Sequence, residues 1–271
     1  MANSWTLCDT HCHIHDDDYP LPADEVLQSA ADSAVGRILT MGSDLTSSQQ
    51  AVNYVRKYDG QHGATMRVGV GVYPQNTANL THQTITELQN LIDDDRSLVA
   101  AIGEIGLDYY YDTVPRQQQI NALEQLIQLA IDNDLPMSFH VRSGEFGNAF
   151  ADFWPIINNF SGIRGVLHSF TDSLANLDRV LQAGLYVGVN GILTFNRDSQ
   201  LAEVYQAMPL ERIVLETDAL YLAPKPYRGR VDQPAYVRPI AEYLADQRNI
   251  TIDEVARQTT ANAMRIYPAL A

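Results

Sequence analysis

Thr6-Leu7-Cys8-Asp9-Thr10-His11-Cys12-His13 holds the chain's first short apolar run, which turns polar within three residues. Residues 6–8 read as a strand, and seven further short apolar runs follow at 37–41, 66–72, 99–102, 137–140, 165–168, 186–189 and 213–215. Longer segments of helical period separate them, which is the pattern of parallel βαβ units rather than of hairpins. In 115–133, for example, Ile120, Leu123, Ile127 and Ala130 recur on one face behind Pro115. Segments 234–247 and 252–267 follow the eighth run, the second opened by Thr251 with Asp253 and Glu254 in its first turn. Eight alternations in 271 residues predict an α/β fold, a single-domain (β/α)8 TIM barrel over residues 1–271, with the last helix closing its bottom or side.

Apolar residues make up 45% of the chain and charged residues 19%, a composition that supports a core and argues against disorder. No apolar run approaches the ~20 residues of a membrane span, and the first eight residues lack a basic-then-apolar leader pattern. The expectation is a cytoplasmic protein with no membrane association and no obligate protein partner. Cys8 and Cys12 are too few and too local for a disulfide framework and suit a reducing compartment. A formal net charge of -15 disfavours a broad nonspecific nucleic-acid surface, which needs clustered Lys and Arg, yet leaves room for a small phosphate site.

Barrel enzymes place their chemistry at the C-terminal ends of their strands. At the first, strand alternation turns His11 and His13 to the same side, where two imidazoles can grip one cation. The fourth ends in Gly103-Glu104-Ile105-Gly106-Leu107-Asp108; a carboxylate that deep needs a metal, a proton or an arginine beside it. His140 and His168 end the fifth and sixth, each explicable alone as a core histidine but recurring at successive strand ends. Glu216-Thr217-Asp218 ends the eighth. Barrel closure brings Asp218 beside His11 and His13, unless it only shapes a turn, and leaves Glu216 as a supporting partner. Imidazole with carboxylate suits zinc, with manganese or magnesium as alternatives. Arg142 is the first candidate to contact phosphate, followed by Lys225, Arg228 and Arg230 in the irregular stretch 221–234, whose other reading is a solvated loop. Tyr109 and Tyr110 can stack on bases or serve packing.

Taken in order, Asp9-Thr10-His11-Cys12-His13, Gly103-Glu104-Ile105-Gly106-Leu107-Asp108-Tyr109-Tyr110, His140-Val141-Arg142, His168-Ser169-Phe170 and Glu216-Thr217-Asp218 resemble the motifs of TatD-type metal-dependent hydrolases, within the amidohydrolase superfamily. The resemblance runs nearly the whole chain. It implies a metal-dependent deoxyribonuclease of 3′-exonuclease type, acting on single-stranded or 3′-end nucleic acid. It also implies two divalent metal ions per chain, one on His11, His13, Glu104 and Asp218 and the other on Glu104, His140 and His168, with Glu104 as the bridge. The expected catalytic groups are Glu104 and Asp218, the latter orienting a metal-activated water and accepting its proton. Three positions depart from the family pattern: Tyr73 stands where many relatives carry His, Ser143 where an acidic residue follows Arg142, and Ala219-Leu220 where Ser-Pro follows Asp218. They bear on substrate contacts rather than on ligands. The same ligand set would serve an enzyme of small esters, lactones or amides, an esterase of the transfer-RNA 3′ end, or a non-catalytic metal-binding module.

Overall fold

The computed structural model describes residues 5–271. Eight parallel strands, β1 (Leu7–Cys12), β2 (Val35–Met41), β3 (Thr65–Val70), β4 (Val99–Asp108), β5 (Met137–Arg142), β6 (Gly165–Leu167), β7 (Tyr186–Val189) and β8 (Ile213–Leu215), form one sheet in sequential order. Helices α1 (Ala23–Asp32), α2 (Leu45–Tyr58), α3 (His82–Asp94), α4 (Arg116–Asp132), α5 (Ala149–Asn158), α6 (Leu174–Gln182), α7 (Ile192–Phe195) and α8 (Ser199–Ala207) alternate with the strands, and α9 (Val237–Arg248) and α10 (Ile252–Ile266) follow β8. This is the expected (β/α)8 barrel. Apolar faces of the helices pack on the outside of the sheet in one continuous core that includes Leu27, Val52, Leu88, Leu123, Phe153 and Ile240.

Two strands run well past their apolar stretches. β1 continues through Asp9, Thr10 and His11, and β4 through Glu104 to Asp108, where Ile105 pairs with Phe139 and Asp108 with Arg142. Polar residues extend a strand here because each finds a partner across the sheet or inside the barrel, so the apolar pattern understates strand length. Gly106 makes the β4 extension possible. At φ 152° a Cβ on it would lie 1.8 Å from the His140 carbonyl oxygen of β5, so only glycine lets the two backbones approach.

The described β1 and β8 are joined by side chains and loop backbone rather than by a regular ladder. Thr10 Oγ1 donates to Leu215 O (3.0 Å), the Asp218 amide to His11 O (2.8 Å), and the His13 amide to Ala219 O (2.7 Å). The Asp9 carboxylate accepts from the Thr217 amide (3.0 Å) and hydroxyl (2.6 Å) and from the His11 amide at 3.3 Å.

α10 begins at a capping box in which Thr251 and Glu254 satisfy each other's amides. Thr260 then ties α10 to β1 through the Thr6 carbonyl (2.8 Å), and the chain end turns under the barrel. There Ile266, Tyr267 and Leu270 join Cys8, Ala101, Val166 and Val214 in a second core cluster, held by Arg37 Nε donating to Leu270 O (2.7 Å). The plug leaves the strand C-terminal ends as the open face. Replacing the fully buried Tyr267 by Ala is expected to lower stability by about 3–5 kcal/mol, read as a lower urea midpoint.

Candidate metal centre

The ends of β1, β4, β5, β6 and β8 bring together all six residues that the sequence singled out as ligands. His11 and His13 point to one side, their Nε2 atoms 3.3 Å apart. Glu104 Oε2 lies 3.6 Å from each of these nitrogens, and Asp218 Oδ1 lies 3.9 Å from His11 Nε2 and 3.6 Å from His13 Nε2. The other oxygen of Glu104 faces the opposite group: Oε1 is 2.9 Å from His140 Nδ1 and 2.9 Å from His168 Nε2, which are 3.0 Å from each other. One carboxylate therefore stands between two pairs of imidazoles.

These spacings fit cations. A tetrahedral ion bound at about 2.0–2.2 Å holds its donor atoms about 3.3–3.6 Å apart, close to the separations around His11, His13, Glu104 and Asp218. The triangle of Glu104, His140 and His168 is tighter, at hydrogen-bond distance, and a tetrahedral ion would spread it by a few tenths of an ångström.

Three of the four imidazoles are held from behind. His11 Nδ1 hydrogen-bonds with Ser138 Oγ (3.1 Å), His13 Nδ1 donates to Met41 O (2.7 Å), and His140 Nε2 donates to Asp108 Oδ2 (2.9 Å). Such partners fix ring orientation and tautomer. His168 stacks on His11, with ring centroids 4.0 Å apart, and its Nδ1 lies 3.8 Å from Glu216 Oε1, beyond hydrogen-bond reach. Glu216 itself accepts the Ser169 amide.

Burial pulls the His13 and His140 imidazoliums down, but Asp218 and Glu104 for the first, and Asp108 and Glu104 for the second, outweigh it and leave both raised to about 9. His11, buried and beside His168, is lowered to about 4. Burial opposes ionisation of Asp218 as well, yet its histidine neighbours hold it down at about 2. Glu104 is likewise kept ionised against burial by His168, His11 and His140. Glu216, buried without a cation, is pushed well up. Protons on His13 and His140 balance the carboxylates in the metal-free protein, and divalent cations would take their place.

The residues expected to meet substrate divide. Arg142 is exposed, with its guanidinium 3.7 Å above the Tyr110 ring and 5.8 Å from that of Tyr111. Arg228 sits over Phe195 at 3.8 Å and donates to Ala223 O, and Arg230 lies 5.7 Å from the Tyr227 ring; both are exposed, as is Lys225. Tyr109 is different. It is 2% exposed, and its hydroxyl donates to Asp152 (2.6 Å), which also pairs with Arg116. The exposed large hydrophobic side chains among the described residues are Tyr110, Tyr111, Phe146, Leu174 and Tyr221, all on segments that follow strands at the open face. Tyr111, Phe146 and Tyr221 escape a sequence reading, because exposure on a loop leaves no periodic signal. Asp9, Asp108 and Ser138 escape it too: the first two lie inside the motifs quoted above, but their partners come from distant strands.

A family model described as TatD related DNase matches residues 8–268. The metal-dependent hydrolase YabD of Bacillus subtilis is 30% identical over 263 residues, covering 96% of this chain and 98% of that protein. A protein of Erwinia amylovora named 3'-5' ssDNA/RNA exonuclease TatD is 30% identical over 251 residues, covering 90% and 93%. A TatD-family hydrolase structure from Entamoeba histolytica superposes with a TM-score of 0.87 at 24% identity, covering 97% of this chain and 98% of that one. The Escherichia coli TatD homologue YjjV gives 0.86 at 25%, with the same coverage.

Cations compete with the protons on His13 and His140, so apparent metal affinity should rise as the pH climbs toward 9 and fall as it drops. Adding Zn²⁺ to the metal-free protein at pH 7.5 should release about one to two protons per chain, counted by calorimetry in buffers of different ionisation enthalpy. Heats independent of the buffer would mean that both rings are already neutral.

Proposed function

The chain belongs to the TatD-related DNase family, and from that membership and the site we propose that it is a metal-dependent 3′-exonuclease that hydrolyses phosphodiester bonds in single-stranded DNA or RNA. Two divalent cations are proposed per chain, zinc first, with manganese or magnesium as alternatives. His11, His13, Glu104 and Asp218 would hold one, and Glu104, His140 and His168 the other. The observation that carries the reading is the meeting of the six donors at strand ends whose following segments expose the rings of Tyr110, Tyr111, Phe146 and Tyr221 and the guanidinium of Arg142. An unpaired base offers a face to an aromatic ring, whereas a small ester or amide needs no such rings. The named activity of the Erwinia relative supports the same substrate class.

Divalent cations, when bound, supply charge for the phosphodiester and lower the pKa of water toward neutrality. The protein's own groups then have separate tasks. Asp218, with its side chain 21% exposed against 7% for Glu104, is the carboxylate that solvent reaches, and it is ionised and able to accept the proton of an attacking water. Glu104 holds the two donor groups together. Arg142 pairs with no carboxylate among the described residues, which leaves its guanidinium, 3.7 Å above the Tyr110 ring, available for phosphate. Arg228, Arg230 and Lys225 approach the backbone of the nucleic acid from the β8 side. Stacking falls to Tyr110 and Tyr111, whose rings meet edge to face at 4.9 Å, while Tyr109 packs inward on Asp152.

The metal-loaded protein should shorten 5′-labelled single strands from the 3′ end and leave blunt duplex largely intact. Glu104→Gln should lose bound metal and at least about 10³-fold in kcat/KM. Arg142→Ala should raise KM about 10–100-fold with kcat little changed. Turnover of small esters or mischarged transfer RNA, with no cleavage of single strands, would replace the nuclease reading. Bound metal with no turnover on any substrate would favour a binding module.

A further inference from the structure

His140 is turned around relative to its three partners. His11, His13 and His168 present Nε2 to Glu104, whereas His140 presents Nδ1, 2.9 Å from Glu104 Oε1 and 3.0 Å from His168 Nε2. We propose that Tyr73 and Asp108 are positioning residues that fix the tautomer of His140, so that its Nδ1 lone pair faces the cation position shared with Glu104 and His168. This rests on the proposed ligand role of His140.

A carboxylate can only accept hydrogen bonds. Asp108 Oδ2, 2.9 Å from His140 Nε2, and Glu104 Oε1, 2.9 Å from Nδ1, each accept an N–H hydrogen bond from the ring in the metal-free protein. A cation beside Glu104 would replace the Nδ1 proton, and Asp108 then keeps the one on Nε2 and leaves the lone pair on Nδ1. The carboxylate has no freedom to turn away. Oδ2 also accepts the Tyr73 hydroxyl at 2.7 Å, and Oδ1 accepts the Tyr110 amide at 2.9 Å. Its own backbone is clamped by Gln119, whose Oε1 accepts the Asp108 amide (2.8 Å) and whose Nε2 donates to the Asp108 carbonyl (3.1 Å). Tyr73 meets the imidazole directly as well, edge to face with centroids 5.0 Å apart and planes at 76°. One phenol thus holds both the ring and the carboxylate behind it. The other imidazole of this position, His168, has no hydrogen-bond partner at its outer nitrogen among the described residues, so enforced orientation on this side comes through His140.

Asp108→Asn tests the point sharply. The Tyr110 amide keeps the amide oxygen at the Oδ1 place, which turns the NH₂ toward His140 Nε2. That nitrogen must then accept, and the ring proton moves to Nδ1, where it blocks a ligand. In Co²⁺ and Zn²⁺ titrations followed by visible absorption and metal analysis, one of the two equivalents should weaken by about 10–100-fold, the other staying as in the wild type. Tyr73→Phe, which keeps the ring and removes one hydroxyl, should weaken the same equivalent by a smaller factor, and Ser138→Ala, behind His11, should act on the other. Nitrogen-15 spectra of histidine-labelled, Zn²⁺-loaded protein should show a proton on His140 Nε2 in the wild type and lose it in Asp108→Asn. Two equivalents bound with wild-type affinity by both Asp108→Asn and Tyr73→Phe, or a His140 without a proton on Nε2 in the metal-loaded wild type, would overturn the proposal. A wild type that binds only one equivalent would instead remove His140 from the ligand set.

Discussion

Asp9 does at the barrel seam what backbone ladders do between the other strands. Its carboxylate accepts two hydrogen bonds from Thr217, 208 residues away, and one from the amide of His11 on its own strand. Burial raises its pKa to about 7, with the Thr217 donors working against that rise, so the group gains less from ionisation than an exposed aspartate and depends on its partners. One residue beyond Thr217, the Asp218 amide reaches His11 O, which sets the acid against His11 and His13. A slip of one residue along this seam would carry Asp218 about 3.3 Å away and dissolve the group of four donors.

Glu104 imposes the second constraint. An ionised carboxylate inside a barrel is costly unless opposite charge or hydrogen-bond donors surround it, and here two imidazoles face each oxygen, with His13 and His140 held toward charge. Glycine at 103 and 106 makes that burial geometrically possible, because a side chain at either would collide with β5. The arrangement is better suited to cations than to protons. With protons alone, His11 is pushed toward neutrality while His13 and His140 are pushed toward charge, so similar rings a few ångströms apart differ in protonation. Divalent ions would satisfy all of them in one state, the neutral one.

The barrel was legible because its signal is periodic. Eight apolar runs separated by amphipathic segments leave few topologies open, and strands β7 and β8 begin and end where the pattern says. The largest errors fall where polar residues sit inside strands: β1 and β4 each run further than their apolar stretches, since Asp9, Thr10, Glu104 and Asp108 are satisfied by partners that no local pattern reveals. The six proposed ligands were legible because each ends an apolar run. Asp108 and Ser138, which stand behind ligands, and the exposed Tyr111, Phe146 and Tyr221 were not, because their roles depend on which strands and loops meet. Tyr109 illustrates the limit: neighbouring tyrosines share a motif, but Tyr109 packs inward onto Asp152 while Tyr110 faces outward under Arg142.

A chain of net charge -15 that acts on a polyanion faces an electrostatic conflict, and the exposed rings suggest how it is resolved. A broad basic surface would attract nucleic acid of any form and bind it mainly through displaced counterions. Here the exposed cationic groups on the segments after the strands are few, and two of them, Arg142 and Arg228, lie over aromatic rings at 3.7 and 3.8 Å. Binding would then draw on stacking and on the cations of the centre more than on long-range attraction. Stacking requires an unpaired base, and Tyr110, Tyr111 and Tyr221 are exposed on the segments that follow β4 and β8, whose ends carry Glu104 and Asp218. The same acidity that repels duplex nucleic acid at a distance would thereby favour substrates whose free end can enter, which would tie the proposed preference for single strands to charge as well as to shape.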